Sequence, residues 1–324
     1  MTDLLHRVSD FLIERYTRSI IICLFIFLTL LSSACYCQEK IIDSTRNEIA
    51  FISDTQAPMW VETLWLKSNK NTSATKLLFE EITQHKPRCL FILGDVVARG
   101  PKENKWTEMD KYLAASRANG IPVYALLGNH DVMGNAKKGE EKLNKRFPDQ
   151  VNTGYYKIID SVAVVLLNSN FKTLTPQQQN QQQDFYANAL KALDADSAVK
   201  CIIVTCHHAP YTNSKIVGCS EPVQEQFVPL FKPSKKAKLF ITGHAHDFEY
   251  FIFNDKYFLT IGGGGGLHQP LNKRKDALPN QAIGYEPEFH YILIKRTGNK
   301  LNITSQKLKD DFSGFESGYR FTVP

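Results

Sequence analysis

The sequence predicts an α/β fold with parallel strands, and two observations carry that prediction. Short apolar runs recur along the chain, each stopping at a polar or glycine-containing tip. Between the first three runs lie stretches of helical periodicity, the βαβ spacing of parallel strands joined by right-handed crossovers.

Taken in order, Ile49 to Ser53 is the first run and ends at Asp54-Thr55-Gln56. Helical spacing follows from Ser73 to His85, with Leu77, Leu78, Phe79 and Ile82 on one side. Cys89 to Leu93 ends at Gly94-Asp95, a helix is expected from Glu103 to Asn119, and Val123 to Leu127 ends at Gly128-Asn129-His130-Asp131. Tyr155 to Ile159 and Val162 to Leu167 read as a strand pair, and a helix over Pro176 to Leu193 opens on Gln177 to Gln183, read as a solvated start. Cys201 to Cys206 ends at His207-His208; a helix over Val223 to Phe231 precedes Ala237 to Thr242, which ends at Gly243-His244-Ala245-His246. Tyr257 to Ile261, Tyr291 to Lys295 and Leu301 to Gln306 are further strands, and the polar, aromatic tail 310–324 has no assignment.

With 324 residues, 43% hydrophobic and 22% charged, the composition is that of an ordinary globular protein. No repeat or linker follows residue 45, which argues for one catalytic domain over 46–309. The net charge of +6 is spread along the chain, suits anionic substrates and lacks the clustered basic face of a nucleic-acid binder. Residues 1–45 differ. Ile20 to Leu31 is a solid apolar run, preceded by Arg7, Arg15 and Arg18 and followed by Ser32-Ser33-Ala34-Cys35. That is the layout of a secretory signal or membrane anchor. Cys35 also ends a loose lipoprotein-like box, though Ser32 stands where a bulky residue is usual. Each version predicts export, to a periplasmic, membrane-anchored or secreted location. Of the remaining cysteines, Cys89 and Cys201 read as buried, while Cys206 and Cys219 are a candidate disulfide among three pairings.

Five runs therefore end in Asp54/Gln56, Asp95, Asn129/His130, His207/His208 and His244/His246. Neighbouring parallel strands bring such tips to one rim, where α/β sheets bind ligands. Carboxylate oxygen, amide oxygen and imidazole nitrogen are ligands of Mn, Fe and Zn ions. The set is too large for one tetrahedral ion and suits two ions about 4 Å apart, with Asp95 as the bridge.

In order, these tips resemble the D-x-H, G-D, G-N-H-[DE], H, G-H-x-H series of the calcineurin-like metallophosphoesterase superfamily, over residues 48 to 295. The resemblance implies a four-layer α/β/β/α sandwich with mixed sheets and a dinuclear centre on one edge. It implies that Asp54, Gln56 and His246 hold the first ion, that Asn129, His207 and His244 hold the second, and that Asp95 bridges. Gln56 replaces the usual His, which weakens the first site or favours a harder ion. Purple acid phosphatases are similar in Gly-His-Ala-His but carry Tyr three residues after the bridging Asp; Ala98 stands there, so no iron–tyrosinate bond and no purple colour are expected. Tyr211, four residues on, selects His207 as the ligand, with His208 lining the pocket; the H-x-P spacing through Pro210 points instead to His208.

The implied chemistry is phosphoric ester hydrolysis by water activated between two cations, on monoesters of small or macromolecular alcohols. His130 is the expected proton donor, with Asp131 fixing its tautomer. Arg99 lies in a Gly-Asp-x-x-x-Arg-Gly stretch similar to the phosphate clamp of protein Ser/Thr phosphatases; a solvated turn is the other reading. A phosphodiesterase, or a member that binds without turnover, are the rival expectations. Gly262 to Gly266 suggests close backbone approach beside the rim, with His268 a pocket candidate and Lys273-Arg274-Lys275 a solvated loop.

Overall fold

The first three strands, β1 (Glu48–Ile52), β2 (Cys89–Ile92) and β3 (Val123–Ala125), are adjacent and parallel. They occupy one end of a six-stranded mixed sheet of order β12-β11-β10-β1-β2-β3, completed by β10 (His290–Thr297), β11 (Lys300–Leu308) and β12 (Phe315–Val323). The second sheet has the order β4-β5-β6-β7-β9-β8. Here β4 (Tyr155–Ile159) pairs antiparallel with β5 (Val162–Leu166). Next come β6 (Cys201–Thr205), β7 (Ala237–Thr242) and β9 (Lys256–Ile261), parallel to β5, and β8 (Phe248–Phe253) closes the edge. This computed structural model describes residues 46–324, which form one compact unit. The leader, its apolar run and Cys35 lie outside the described residues.

The central strands of both sheets are buried on both faces, which is why they read as continuous apolar runs. Phe51, Phe91, Ile292 and Ile303 of the first sheet meet Val164, Ile203, Leu239 and Leu259 of the second in the central core. The alternate residues Ala50, Ile52, Leu90 and Ile92 face outward, onto α1 (Asn71–His85) and α2 (Thr107–Ala118). On the far side Val165, Ile202, Val204 and Phe240 pack under α5 (Pro176–Ala195) and the short α6 (Glu221–Gln226) and α7 (Val228–Phe231). The layers are thus α/β/β/α. Two further helices, α3 (Asn129–Val132) and α4 (Ala136–Arg146), follow β3.

The elements depart from the sequence reading in several places, the two helices after β3 among them. The helix expected over Val223 to Phe231 is split at Phe227, because Pro229 has no N–H and its ring opposes helical continuation. Gln182 is buried rather than solvated; its carboxamide accepts from Asn168 N at 2.8 Å and donates to Asn168 O at 3.0 Å. β8 was not expected; it returns to β9 through Asn254-Asp255, both left-handed, as a two-residue hairpin requires. The unassigned tail carries β12, an edge strand whose alternate residues Tyr319, Phe321 and Val323 reach the central core. The candidate disulfide is absent among the described residues: Cys206 is buried, Cys219 is exposed, and both are free thiols.

Candidate metal centre

The tips of β1, β2, β3, β6 and β7 meet at one rim, held there by unusually close backbone approach. Asp54, Asp95 and His244 all have left-handed backbone (φ 59°, 48° and 69°), a conformation that costs a non-glycine residue energy and concentrates at functional sites. The turns are locked by neighbours: Asp54 N donates to Gly94 O, Gly243 N to His207 O, and His244 N to the Asp54 carboxylate. A Cβ on Gly128 would overlap Asp95, so only glycine lets these two tips touch.

Backbone carbonyls fix the imidazoles. His207 Nδ1 lies 3.0 Å from Leu93 O and His246 Nδ1 lies 2.8 Å from Leu267 O, so each Nδ1 carries the proton and each Nε2 is left as an acceptor. His207 Nε2 then faces two more acceptors, Asn129 Oδ1 at 3.1 Å and Asp95 Oδ2 at 3.2 Å. The Gln56 carboxamide finds partners in one orientation: its nitrogen donates to Asp54 O (3.1 Å) and Asp95 O (3.0 Å), and its oxygen lies 3.2 Å from His246 Nε2. Asp54 Oδ1 lies 3.4 Å from the same nitrogen.

The rim therefore holds two clusters in which acceptors point at acceptors. Each becomes attractive only with a cation, a proton or a metal ion, between them. Burial disfavours charge on His207, but Asp95 and Asp54 outweigh it and push the imidazole up to about 9. His246 is raised too, because the Asp54 carboxylate overcomes its burial. Asp95 is held well below the carboxylate range, burial being overcome by His207 and His130. The donor set fits metal ions: Asp54, Asp95 and His207 bring ligand atoms within 4.8 Å of one another, and so do His207, His208 and His244. His208 is thus drawn into the cluster rather than simply lining a pocket. Its Nδ1 is tied to Ser169 Oγ at 2.8 Å, its ring centroid lies 4.5 Å from that of His244, and burial with the His207 charge lowers it to about 3. His244 is lowered by the same burial.

His130 and Asp131 are arranged otherwise than expected. His130 Nδ1 lies 3.1 Å from Ala98 O, and Nε2 faces Asp95 Oδ2 at 3.8 Å and Glu62 Oε1 at 3.9 Å. Asp131 does not orient His130. The α3 turn folds its carboxylate back onto backbone N–H groups, Gly128 at 2.9 Å, Val96 at 3.0 Å and Val97 at 3.3 Å. It is a backbone clamp joining the second and third tips; burial and nearby Asp95 raise it to about 7. Arg99 is exposed on the next turn, its guanidinium beside Gly134. Glu62 escaped sequence reading, since nothing in Val61-Glu62-Thr63 marks an acid that folds back over the third tip.

The glycine run approaches closely instead of cradling phosphate. Gly262, Gly264 and Gly266 spend their N–H groups on Asp247 O, Ser53 O and Asp54 O, and a Cβ on Gly266 would overlap the His246 ring. His268 is half-buried behind this run.

Residues 48–248 match the model of the calcineurin-like phosphoesterase family. The chain belongs to that family. Members depend on a dinuclear metal centre, which agrees with the two acceptor clusters. A curated relative, tartrate-resistant acid phosphatase type 5 of Homo sapiens, is 26% identical over 188 residues, covering 53% of this chain and 56% of its own length. The chain thus matches about half the length of that relative. Among solved structures, the purple acid phosphatase PPD1 of yellow lupin (Lupinus luteus) aligns with TM-score 0.64 at 14% identity, over 85% of this chain and 53% of its own. A dimetal phosphatase of Danio rerio aligns with TM-score 0.55 at 12% identity, over 86% and 98%. At these identities the structural likeness speaks for the fold.

Proposed function

We propose that this calcineurin-like phosphoesterase is an exported phosphomonoesterase with two metal ions at the strand-tip rim. The observation that carries the proposal is the pair of acceptor-only clusters. Asp54, the Gln56 oxygen and His246 would hold one ion; Asn129, His207 and His244 would hold the other, with His208 beside it; Asp95 lies between them. When bound, such ions supply the Lewis acidity that activates water and neutralises phosphoryl oxygens; Mn, Fe and Zn suit this donor set.

The chain's own part is positioning and proton transfer. His130, held by Ala98 O, presents Nε2 between Glu62 and Asp95, and from that atom a proton reaches the leaving oxygen. Asp131 acts through the backbone, by keeping the second and third tips in register. Arg99, on the same loop as Ala98, is within the reach of a phosphate clamp only if its exposed side chain swings inward. The acid phosphatases among the relatives favour monoesters, and the basic-flanked apolar run of the leader favours export.

The test is a panel of aryl and alkyl phosphate mono- and diesters, assayed with Mn²⁺, Zn²⁺ or Fe and with chelator. Metal-dependent hydrolysis with monoesters preferred is the expected result. Faster turnover of diesters would replace the monoester reading, and no hydrolysis of any ester would refute the enzyme reading.

A further inference from the structure

A second feature of the rim has no role in the chemistry above. The turn that carries Glu62 also carries Trp60, Leu64 and Trp65, exposed to 77%, 63% and 67%. This is no loose loop. Glu62 N donates to Met59 O and Trp65 N to Glu62 O, while Met59 N donates to Glu62 Oε2 (2.6 Å) and Thr63 Oγ1 to Trp60 O (2.7 Å). Glu62 also anchors it at the rim, 3.9 Å from His130. Large apolar side chains held rigidly in water beside a candidate site mark an interaction surface.

The segments beside the turn carry charges of both signs and are stitched to the same rim: Glu62, Glu286 and Glu288 are engaged by Met59 N, Lys273 and Asn69, and Asp276 lies exposed beside Lys275. Lys67 is exposed on the same segment. Asn69 Nδ2 donates to Glu288 Oε2 at 2.6 Å, and two residues earlier Glu286 pairs with Lys273 at 2.7 Å. The exposed Arg274 and Lys275 follow directly. Tryptophan and leucine standing off the surface, bordered by lysine and arginine, match the headgroup zone of an anionic bilayer, which takes indole rings at its boundary and attracts cations.

We propose that the Trp60–Trp65 turn, with Lys67, Arg274 and Lys275, docks the rim on an anionic phospholipid bilayer. A bilayer accepts all three protruding side chains at once, whereas a small ligand would cover one face of one ring. Docking there holds the metal centre at the level of the phosphate headgroups. The inference concerns binding and does not depend on turnover.

Tryptophan emission of the full-length chain tests it. The chain has three tryptophans, none in residues 1–45, and Trp106 is buried with Nε1 donating to Gly100 O, so emission changes report Trp60 and Trp65. Vesicles of phosphatidylcholine with phosphatidylglycerol should shift emission to the blue, and brominated acyl chains should quench it. R274Q/K275Q should weaken this response about 30-fold, from roughly a fivefold loss per basic side chain near an anionic surface. Leu64→Ser should weaken it without altering the melting temperature, since that side chain is exposed. Unchanged emission with vesicles would overturn the proposal. So would an equal response to pure phosphatidylcholine, or a shift that grows with protein concentration in the absence of lipid, which would assign the turn to a second copy.

Discussion

Gln56→His replaces the one strand-tip residue that departs from the family pattern, and its consequences can be worked out from the site. The Gln56 nitrogen donates to the carbonyls of Asp54 and Asp95, both left-handed, while its oxygen faces His246. An imidazole that turns one nitrogen to the ion keeps a single N–H for two carbonyls. Asp54 O also accepts from Gly266 N, so the Asp95 carbonyl is the one at risk. Losing one such bond should lower the stability of the metal-free protein by about 1 kcal/mol, roughly 2 °C in melting temperature for a domain of this size. The nitrogen ligand should tighten zinc at the first position. Gln56→Leu removes the ligand oxygen and both bonds; it should cost roughly 2–3 kcal/mol and lose the first-site ion. Thermal melts in chelator and zinc titration calorimetry read both effects. An unchanged melting temperature together with unchanged zinc affinity in Gln56→His would refute Gln56 as both clamp and ligand.

Three further predictions follow from the geometry. If His130 delivers the proton, His130→Ala should slow alkyl phosphates far more than nitrophenyl phosphate, whose leaving group needs no acid; an equal loss for both would remove that role. Gly266→Ala should push the His246 ring aside and lower metal content, whereas Gly218→Ala, with open space around it, should leave metal content unchanged; retention of metal by Gly266→Ala would count against His246 as a ligand. Glu249 is buried behind the rim, and burial raises its carboxyl from 4.5 to about 7, against hydrogen bonds from Thr212 and Asn213. The folded protein thus holds a proton that the unfolded chain has released. Its contribution is full below pH 4.5 and lost as pH rises through 7. Relative to Glu249→Gln, the wild type should lose stability between pH 5 and pH 8, and a pH-independent difference in their melting temperatures would contradict this.

The strands and the donor residues were legible because each is a local pattern: an apolar run buried on both faces, closed by a tip of polar side chains. Asp54, Asp95, Asn129, His207, His244 and His246 could be picked out one tip at a time. What escaped depends on contacts made across tips. Asp131 looks like a partner for His130 because the two are adjacent, yet the α3 turn sends its carboxylate to Gly128 and Val96 and leaves His130 to a carbonyl. Gln56 read as a weakened ligand, while its clamp on two backbone carbonyls is visible only once β1 and β2 lie side by side. Glu62 reaches the site from a single helical turn, Glu62–Leu64, too short to leave a periodic signal in the sequence. β12 was hidden because an edge strand is half exposed and its alternation is interrupted by Ser317-Gly318.

The central claim is that two acceptor clusters hold two ions. Metal content of the purified full-length chain, measured by elemental analysis after loading with Mn²⁺ or Zn²⁺ and removal of excess, tests it most directly. Two ions per chain are expected, falling to one in His246→Ala. Fewer than two ions in the wild type, or a content indifferent to His246, would contradict it.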